Sequence, residues 1–152
     1  MEDIIKALKQ SIEEYAPLVS KIMEPAFSHK PSAAKWSKKE ILGHLVDSAQ
    51  NNIRRFIVGQ YDDLPKIVYK QDDWVALTNY EQYPKDRLIE LWVLINQHIC
   101  MILENMEPES SKRLCETNDP EPHSLEWLAT DYVRHLRHHM HQVLDMQPVA
   151  YP

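Results

Sequence analysis

Apolar residues recur at the spacing of an α-helix in four segments of the chain. The first segment covers about residues 3–23, and Pro17 inside it is a point where a helix kinks or restarts. The second covers about residues 37–59, where Ser37 and Glu40 form the S-x-x-E capping box that marks a helix start. These two segments predict the first half of a helical domain.

Two further helices are predicted in the second half. The third covers about residues 84–106, opening at Pro84, and the fourth follows Ser124, a cap candidate, and continues to Val143. About 24 residues join the second and third helices, which is too long for a tight turn and suits a crossover, with a short helix at residues 72–77. The pattern predicts an all-α fold, a four-helix bundle ordered up-down-down-up with one long crossover between helices 2 and 3.

Composition narrows the class of protein. The 152 residues, 43% hydrophobic with only two glycines, predict a single helical domain over residues 1–152. A net charge of -6 disfavours nucleic-acid binding. No apolar run approaches a membrane span and no signal region opens the chain, so we expect a cytoplasmic protein without a membrane partner. Cys100 and Cys115 lack C-x-x-C spacing, and we expect one buried cysteine and one loop thiol.

Four of the eight histidines lie in "HLRHHMHQV", the end of the fourth predicted helix. By helical spacing His135 and His139 border its apolar face, while His138 and His141 are expected to face water. His135 and His139 are also four residues apart, which lets two imidazoles reach one metal ion. The spacing alone is a weak indication of a metal site, because pairs of histidines at the edge of a core are common and a third ligand is needed.

A polar stripe runs along the second predicted helix beside its apolar face. Its members are separated by three or four residues: His44, Ser48, Asn51 and Arg55. Such a stripe is typical of a solvated flank, but it also describes the wall of a polar pocket. His29 and His123 fall in predicted loops, where we expect them to be exposed.

Two stretches, "KWSKKEILGHLVDSAQNNIRRF" and "SLEWLATDYVRHLRHHMHQV", resemble the DinB-like superfamily and, within it, the YfiT-like metal-dependent enzymes. The resemblance implies a four-helix bundle with a long crossover after the second helix, a homodimer, and a divalent metal ion, nickel or zinc. It implies three metal ligands: His44, His135 and His139. Many relatives have H-R-G-Q where this chain has residues 139–142, "HMHQ", a difference that affects helix packing rather than the ligands.

The resemblance also supplies candidates around the metal: Asp47, Asn51 and Arg55 match residue types of YfiT-like members. Asp47 is a candidate acceptor for the second ring nitrogen of His44, or an ordinary solvated residue. Arg55 is a candidate for cofactor binding, because its guanidinium can hold a carboxylate of a small thiol such as bacillithiol or glutathione.

Members of the superfamily include thiol S-transferases and a related maleylpyruvate isomerase. The leading expectation is therefore a metal-dependent transferase that activates a low-molecular-weight thiol co-substrate toward a small-molecule electrophile. One alternative is a metal-dependent hydrolase of an amide or ester, although no Glu lies beside the histidines as a base. The other is a non-catalytic, metal-binding dimeric bundle.

Overall fold

The computed structural model describes residues 1–151. Four long helices form the bundle, and three short helices, a 3₁₀ turn and a small hairpin join them. In chain order the elements are α1 (Glu2–Ser20), α2 (Glu24–Ser28), α3 (Lys38–Val58), α4 (Gln71–Thr78), a 3₁₀ helix (Tyr80–Gln82), α5 (Lys85–Glu104), α6 (Pro108–Ser111), β1 (Leu114–Cys115), β2 (His123–Ser124) and α7 (Leu125–Val143).

The helix starts lie where the capping residues predict them. The Ser37 hydroxyl accepts a hydrogen bond from the Glu40 backbone N–H at 3.1 Å, and the Ser37 N–H donates to the Glu40 carboxylate at 2.7 Å. Ser124 caps α7 by accepting from the Trp127 N–H at 3.1 Å. Each bond satisfies a backbone group that the first helical turn leaves free, so these boundaries are encoded locally.

The first predicted helix is shorter than expected. α1 ends at Ser20 and not near residue 23, and a separate short helix, α2, follows. Pro17 lies inside α1 without ending it. The break falls at residues 21–23, and Pro25 lies in the first turn of α2, where a missing N–H leaves no intrahelical hydrogen bond unmade.

Cross-helix contacts give the relative directions of α1, α5 and α7. Lys9 near the start of α1 pairs with Glu104 at the end of α5, so these two helices are antiparallel. The amino group of Met1 lies 3.4 Å from Glu126 at the start of α7, and Tyr15 contacts His141 near its end. α1 and α7 are therefore parallel.

α3 runs against α7. Lys38 at the start of α3 pairs with Asp145, just after α7, and Gly59 at the other end of α3 packs on Leu125. The four long helices thus run up, down, down and up. α5 and α7 lie across the diagonal of the bundle, and the Tyr132 hydroxyl joins them by donating to the Asn96 side-chain oxygen at 2.7 Å.

The long connection between α3 and α5 covers α3 with α4 and the 3₁₀ helix. Its extended part pairs with the loop before α7: the Ile67 N–H donates to the Glu116 carbonyl, and the Glu116 N–H donates to the Pro65 carbonyl, each at 2.9 Å. The backbone of Tyr69 also exchanges two hydrogen bonds with the Asn118 side chain. Two segments far apart in sequence therefore form one wall beside α3 and α7.

Two smaller expectations change in the structure. His123 is not an exposed loop residue: it lies in β2, half-buried, with its ring stacked on Trp127 at 3.7 Å. Cys115 is not a loop thiol, since it lies buried in β1, and both it and Cys100 are free. Within residues 1–151, no helix has the length and apolar character needed to cross a membrane.

Candidate metal centre

Three histidine side chains converge where α3 lies against α7. The Nε2 atoms of His44 and His135 are 3.1 Å apart, and one ring nitrogen from each of His44, His135 and His139 lies within 4.8 Å of the others. Within residues 1–151, no other group of three His, Cys, Asp or Glu side chains is recorded with ligand atoms this close. The structure brings together the trio that the resemblance implied.

The surroundings keep these imidazoles neutral. Burial lowers the pKa of His44 to about 3, with a further contribution from the His139 charge. Burial likewise lowers the pKa of His135 to about 2, with smaller contributions from its neighbouring histidines, and it lowers the pKa of His139. A neutral imidazole has a free lone pair, which is the form that binds a metal ion.

The geometry fits a metal ion. Ligand bonds of about 2.0–2.1 Å in a tetrahedral site place two nitrogens about 3.3 Å apart, so the trio needs side-chain shifts of about 1.5 Å or less. The Nδ1 of His139 bonds to the Gln142 side-chain oxygen at 2.8 Å, which leaves its other nitrogen for a ligand bond. Three neutral histidines with an open side are the donor set of catalytic rather than structural zinc.

Asp47 is buried beside the trio but contacts a different partner from the one expected. Its Oδ1 accepts a 2.6 Å hydrogen bond from the Tyr80 hydroxyl, while its Oδ2 and the Nδ1 of His44 have no hydrogen-bond partner among residues 1–151. Burial raises the pKa of Asp47 to about 6, against the lowering effect of the Tyr80 hydrogen bond. Its role as an acceptor for His44 stays a prediction.

The polar stripe of α3 is not a solvated flank. Its four side chains are buried, with exposed fractions of 0% for His44, 4% for Ser48, 0% for Asn51 and 8% for Arg55. Ser48 and Arg55 line a pocket of about 570 Å³, which also contains His135 and His139. Asn51 points elsewhere and donates to the Asp47 carbonyl at 2.9 Å.

The pocket is built from four parts of the chain. α3 and α7 form two sides, the Tyr69 segment of the crossover with the loop at residues 117–119 forms the third, and Tyr151 covers α7. Arg55 lies at the end of the pocket remote from His44, about 16 Å along the helix axis, because eleven residues separate them at 1.5 Å each.

Arg55 is a buried cation without an anionic partner in the part of the chain described. Its guanidinium donates to the Ile67 carbonyl at 3.1 and 3.3 Å and to the Asn52 side-chain oxygen at 3.4 Å, both neutral groups. Burial lowers its pKa, opposed by the charges of more distant acidic groups. A buried charge that is incompletely compensated is costly, and a ligand anion in the pocket would offset that cost.

The helical spacing predicted that His138 and His141 face water, and the structure differs. Both are half-buried, because the residues after α7 fold back along it. The Nδ1 of His138 lies 2.7 Å from the Val149 carbonyl, and the Nδ1 of His141 lies 2.6 Å from the Gln147 carbonyl. These contacts occupy the Nδ1 atom of each ring, and neither histidine belongs to the trio.

Two residues of the pocket were missed in the sequence. Tyr151 lies in the final segment, with its ring 5.3 Å from that of His135 and its hydroxyl donating to Asp131 at 2.9 Å. Nothing in the local pattern indicates that this segment folds back. Asp131 did carry a signal, since it lies four residues before His135 and therefore on the same helix face.

The profile of the DinB superfamily matches residues 7–143. The chain belongs to the DinB superfamily. Among curated proteins none matches the sequence. Membership of this superfamily agrees with the helical bundle and with the histidine trio between α3 and α7.

Solved structures give the same fold for this DinB-superfamily chain. YfiT from Bacillus subtilis, described as a probable metal-dependent hydrolase with an unusual four-helix bundle topology, superposes with a TM-score of 0.86 and 20% identity, covering 95% of this chain and 83% of YfiT. A mycothiol-dependent maleylpyruvate isomerase superposes with a TM-score of 0.77 and 10% identity. That match covers 98% of this chain but spans 61% of the isomerase.

Proposed function

We propose that this protein is a metal-dependent transferase that activates a small thiol toward an electrophilic small molecule. The observation that carries the proposal is a single pocket in which His135 and His139 of the histidine trio lie at one end and the buried Arg55, which lacks an anionic partner among residues 1–151, lies at the other. A reactive centre and an anion site in one pocket suit a thiol that carries a carboxylate. The mycothiol dependence of the similar isomerase supports a thiol co-substrate.

His44, His135 and His139 would hold the divalent ion, nickel or zinc. Such an ion supplies Lewis acidity, which lowers the pKa of a thiol or water bound to it toward neutrality. Burial keeps the three rings neutral, so they are available as ligands at neutral pH. Gln142 holds the His139 ring by its Nδ1 atom.

Arg55 would bind the carboxylate at the far end of the co-substrate. Its separation of about 16 Å from His44 along α3 suits an extended thiol such as bacillithiol or glutathione. In the reaction the thiol loses its proton to solvent, and the sulfur forms a bond to the electrophilic carbon. A leaving group then departs from that carbon with the electrons of its broken bond.

A second candidate is a metal-dependent hydrolase of an amide or ester. The likeness to YfiT, described as a probable hydrolase, favours it. So does Asp131, a carboxylate in the pocket one turn from His135 that can take a proton from water. This candidate predicts turnover without any thiol.

The deciding experiment uses untagged protein, elemental analysis of bound metal, and a panel of thiols with a generic electrophile such as 1-chloro-2,4-dinitrobenzene. We expect metal-dependent consumption of a carboxylate-bearing thiol, lost on chelation. Hydrolysis of activated esters without thiol would favour the hydrolase. Bound metal with neither activity would favour the non-catalytic bundle.

We also propose that the protein works as a homodimer, as its family resemblance implies, on a small-molecule substrate. Light scattering of the purified protein would give twice the mass of one chain. A mass of one chain at micromolar concentration would contradict the dimer.

A further inference from the structure

Residues 145–151, the strap, fold back along α7. The chain turns at Asp145, whose φ of 53° lies in the left-handed region, and the Met146 N–H donates to the His141 carbonyl at 2.9 Å. Beyond Met146 the strap makes no backbone–backbone hydrogen bond within residues 1–151. The strap is therefore held to α7 mainly by side chains, and it can open without unfolding the bundle.

Two histidines of α7 bind the strap in the same way. The Nδ1 atom of His141 lies 2.6 Å from the Gln147 carbonyl, and the Nδ1 atom of His138 lies 2.7 Å from the Val149 carbonyl. Because a carbonyl oxygen only accepts, each of these Nδ1 atoms carries a proton and donates. On the side of the strap the two histidines are therefore equivalent.

The second ring nitrogens of these histidines have different partners. The Nε2 atom of His141 lies 3.2 Å from the Tyr15 hydroxyl of α1. The Nε2 atom of His138 lies 2.9 Å from the side-chain nitrogen of Gln142, whose oxygen lies 2.8 Å from the Nδ1 atom of His139. Of the two, His138 alone connects the strap to the histidine trio.

The protons of this hydrogen-bond chain have a consistent arrangement. Since the Gln142 amide nitrogen donates, the Nε2 atom of His138 accepts, which agrees with a proton on its Nδ1 atom. The Gln142 oxygen then accepts from the Nδ1–H of His139, and the lone pair of the His139 Nε2 atom is free for an ion. A closed strap thus favours the tautomer of His139 that binds a metal ion.

The far end of the strap forms part of the pocket beside the trio. The Tyr151 side chain lines the pocket, and the centre of its ring lies 5.3 Å from that of His135. Its hydroxyl donates to the Asp131 carboxylate at 2.9 Å. The position of the strap therefore decides whether this wall of the pocket is present.

We propose that closure of the strap is coupled to metal binding through His138 and Gln142, so that a bound ion closes the strap and the closed strap tightens metal binding. The inference rests on the metal centre of the proposed function and not on its reaction. The coupling is reciprocal, because the strap raises the affinity for the ion by the same factor by which the ion favours closure. His138 and Gln142 are positioning residues, and metal loading completes the wall that Tyr151 forms.

Backbone amide NMR relaxation tests the coupling, since zinc is diamagnetic and an open segment is more mobile than a helix. The amides of Val149, Ala150 and Tyr151 are compared with those of α7, without metal and with saturating zinc. We expect zinc to reduce the mobility of the strap to that of α7 in the wild type. Zinc binding that leaves the mobility of the strap unchanged would overturn the coupling while the metal centre stands.

His138→Ala and His141→Ala are a matched pair, because each removes one hydrogen bond to the strap. We expect the strap of His141→Ala to respond to zinc as in the wild type. In His138→Ala the response should be lost, and the Kd for zinc should rise about tenfold, as for loss of a group that supports a metal ligand. An equal response of the strap in the two variants would overturn the proposal.

Gln142→Ala separates the coupling from the strap's own contacts. It removes no hydrogen bond of the strap, yet it interrupts the chain between His138 and His139. At saturating zinc we expect bound metal but a strap as mobile as in the metal-free wild type. A strap that still closes on zinc in this variant would exclude this chain as the connection. A wild-type protein that binds no zinc would overturn the metal centre and the coupling with it.

Discussion

His139 and His141 are two residues apart, yet their surroundings assign them different roles. His139 points its ring into the trio with His44 and His135. His141 has both ring nitrogens engaged, one with the Gln147 carbonyl at 2.6 Å and the other with the Tyr15 hydroxyl at 3.2 Å. A ring whose nitrogens are both occupied has no lone pair to offer a metal ion.

We therefore expect His139→Ala to abolish binding of about one divalent ion per chain, while His141→Ala retains it. Elemental analysis of untagged, metal-reconstituted protein measures both variants. Loss of metal from His141→Ala with retention in His139→Ala would show that the trio is misassigned.

Arg55 gives a second prediction at this scale. Arg55→Lys keeps the charge but loses the planar fork that binds a carboxylate at two points. We expect KM for a carboxylate-bearing thiol to rise about tenfold, with metal content unchanged. Steady-state kinetics on such thiols measure this, and an unchanged KM across the panel would remove Arg55 from the binding site.

The buried histidines also make the stability of the metal-free protein depend on pH. His44 has an ordinary pKa of 6.5 when unfolded and about 3 when folded. Between these values the unfolded chain binds a proton that the folded chain does not, so the free energy of unfolding falls as pH falls from 6.5 toward 3. Each such ring contributes up to about 1.4 kcal/mol per pH unit.

Asp47 has the opposite effect on the free energy of unfolding between pH 3.8, its ordinary pKa, and about pH 6, its raised pKa in the folded protein. In this range it offsets the contribution of one histidine ring. We expect His44→Gln to reduce the pH slope of the unfolding free energy by up to about 1.4 kcal/mol per unit between pH 6 and pH 4. Urea unfolding measures it. The exposed His98→Gln is the control, and equal slopes in both variants would contradict the assignment.

At the scale of elements, the packing of α3 against the 3₁₀ helix depends on Gly43. A Cβ built there would lie 2.2 Å from the Tyr80 ring, which is buried with 2% exposed and bonded to Asp47. Alanine in a helix interior is normally better than glycine by about 1 kcal/mol. Here the clash outweighs that gain, because a buried ring has nowhere to move.

We expect Gly43→Ala to lower the free energy of unfolding by about 1–3 kcal/mol. Urea denaturation measures the loss. The double variant Gly43→Ala, Tyr80→Ala should lose less stability than the two single variants lose in total, since the clash is absent without the Tyr80 ring. A more stable Gly43→Ala protein would mean that α3 does not need this close approach.

At the scale of the whole molecule, the histidine trio lies where α3 meets α7. Since the unfolded chain cannot bring His44 to His135, an ion held by the trio would bind the folded state and stabilise it by mass action. We expect zinc at 100 times its dissociation constant to add about 2.7 kcal/mol and raise Tm, with no effect on His44→Ala. Calorimetric scans with and without chelator measure this, and equal shifts in both proteins would indicate nonspecific binding.

The sequence by itself determined the four long helices and one face of the site. The capping groups of Ser37 and Ser124 act within four residues, so they are readable locally and mark the starts of α3 and α7. Helical periodicity likewise selected His135 and His139 from their neighbours. His44 needed the family resemblance as well, because its stripe looked the same as a solvated flank.

Only the tertiary structure decided what surrounds the histidines. Tyr80 reaches Asp47 across 33 positions of sequence, and Tyr151 returns across 20 to bond Asp131. The crossover between α3 and α5 pairs with the loop at residues 116–118, and the Ile67 carbonyl of this crossover accepts from the buried Arg55. Such partners depend on the paths of connections between helices, which no periodicity reports, because a side chain bonds whatever group the folded chain brings within reach.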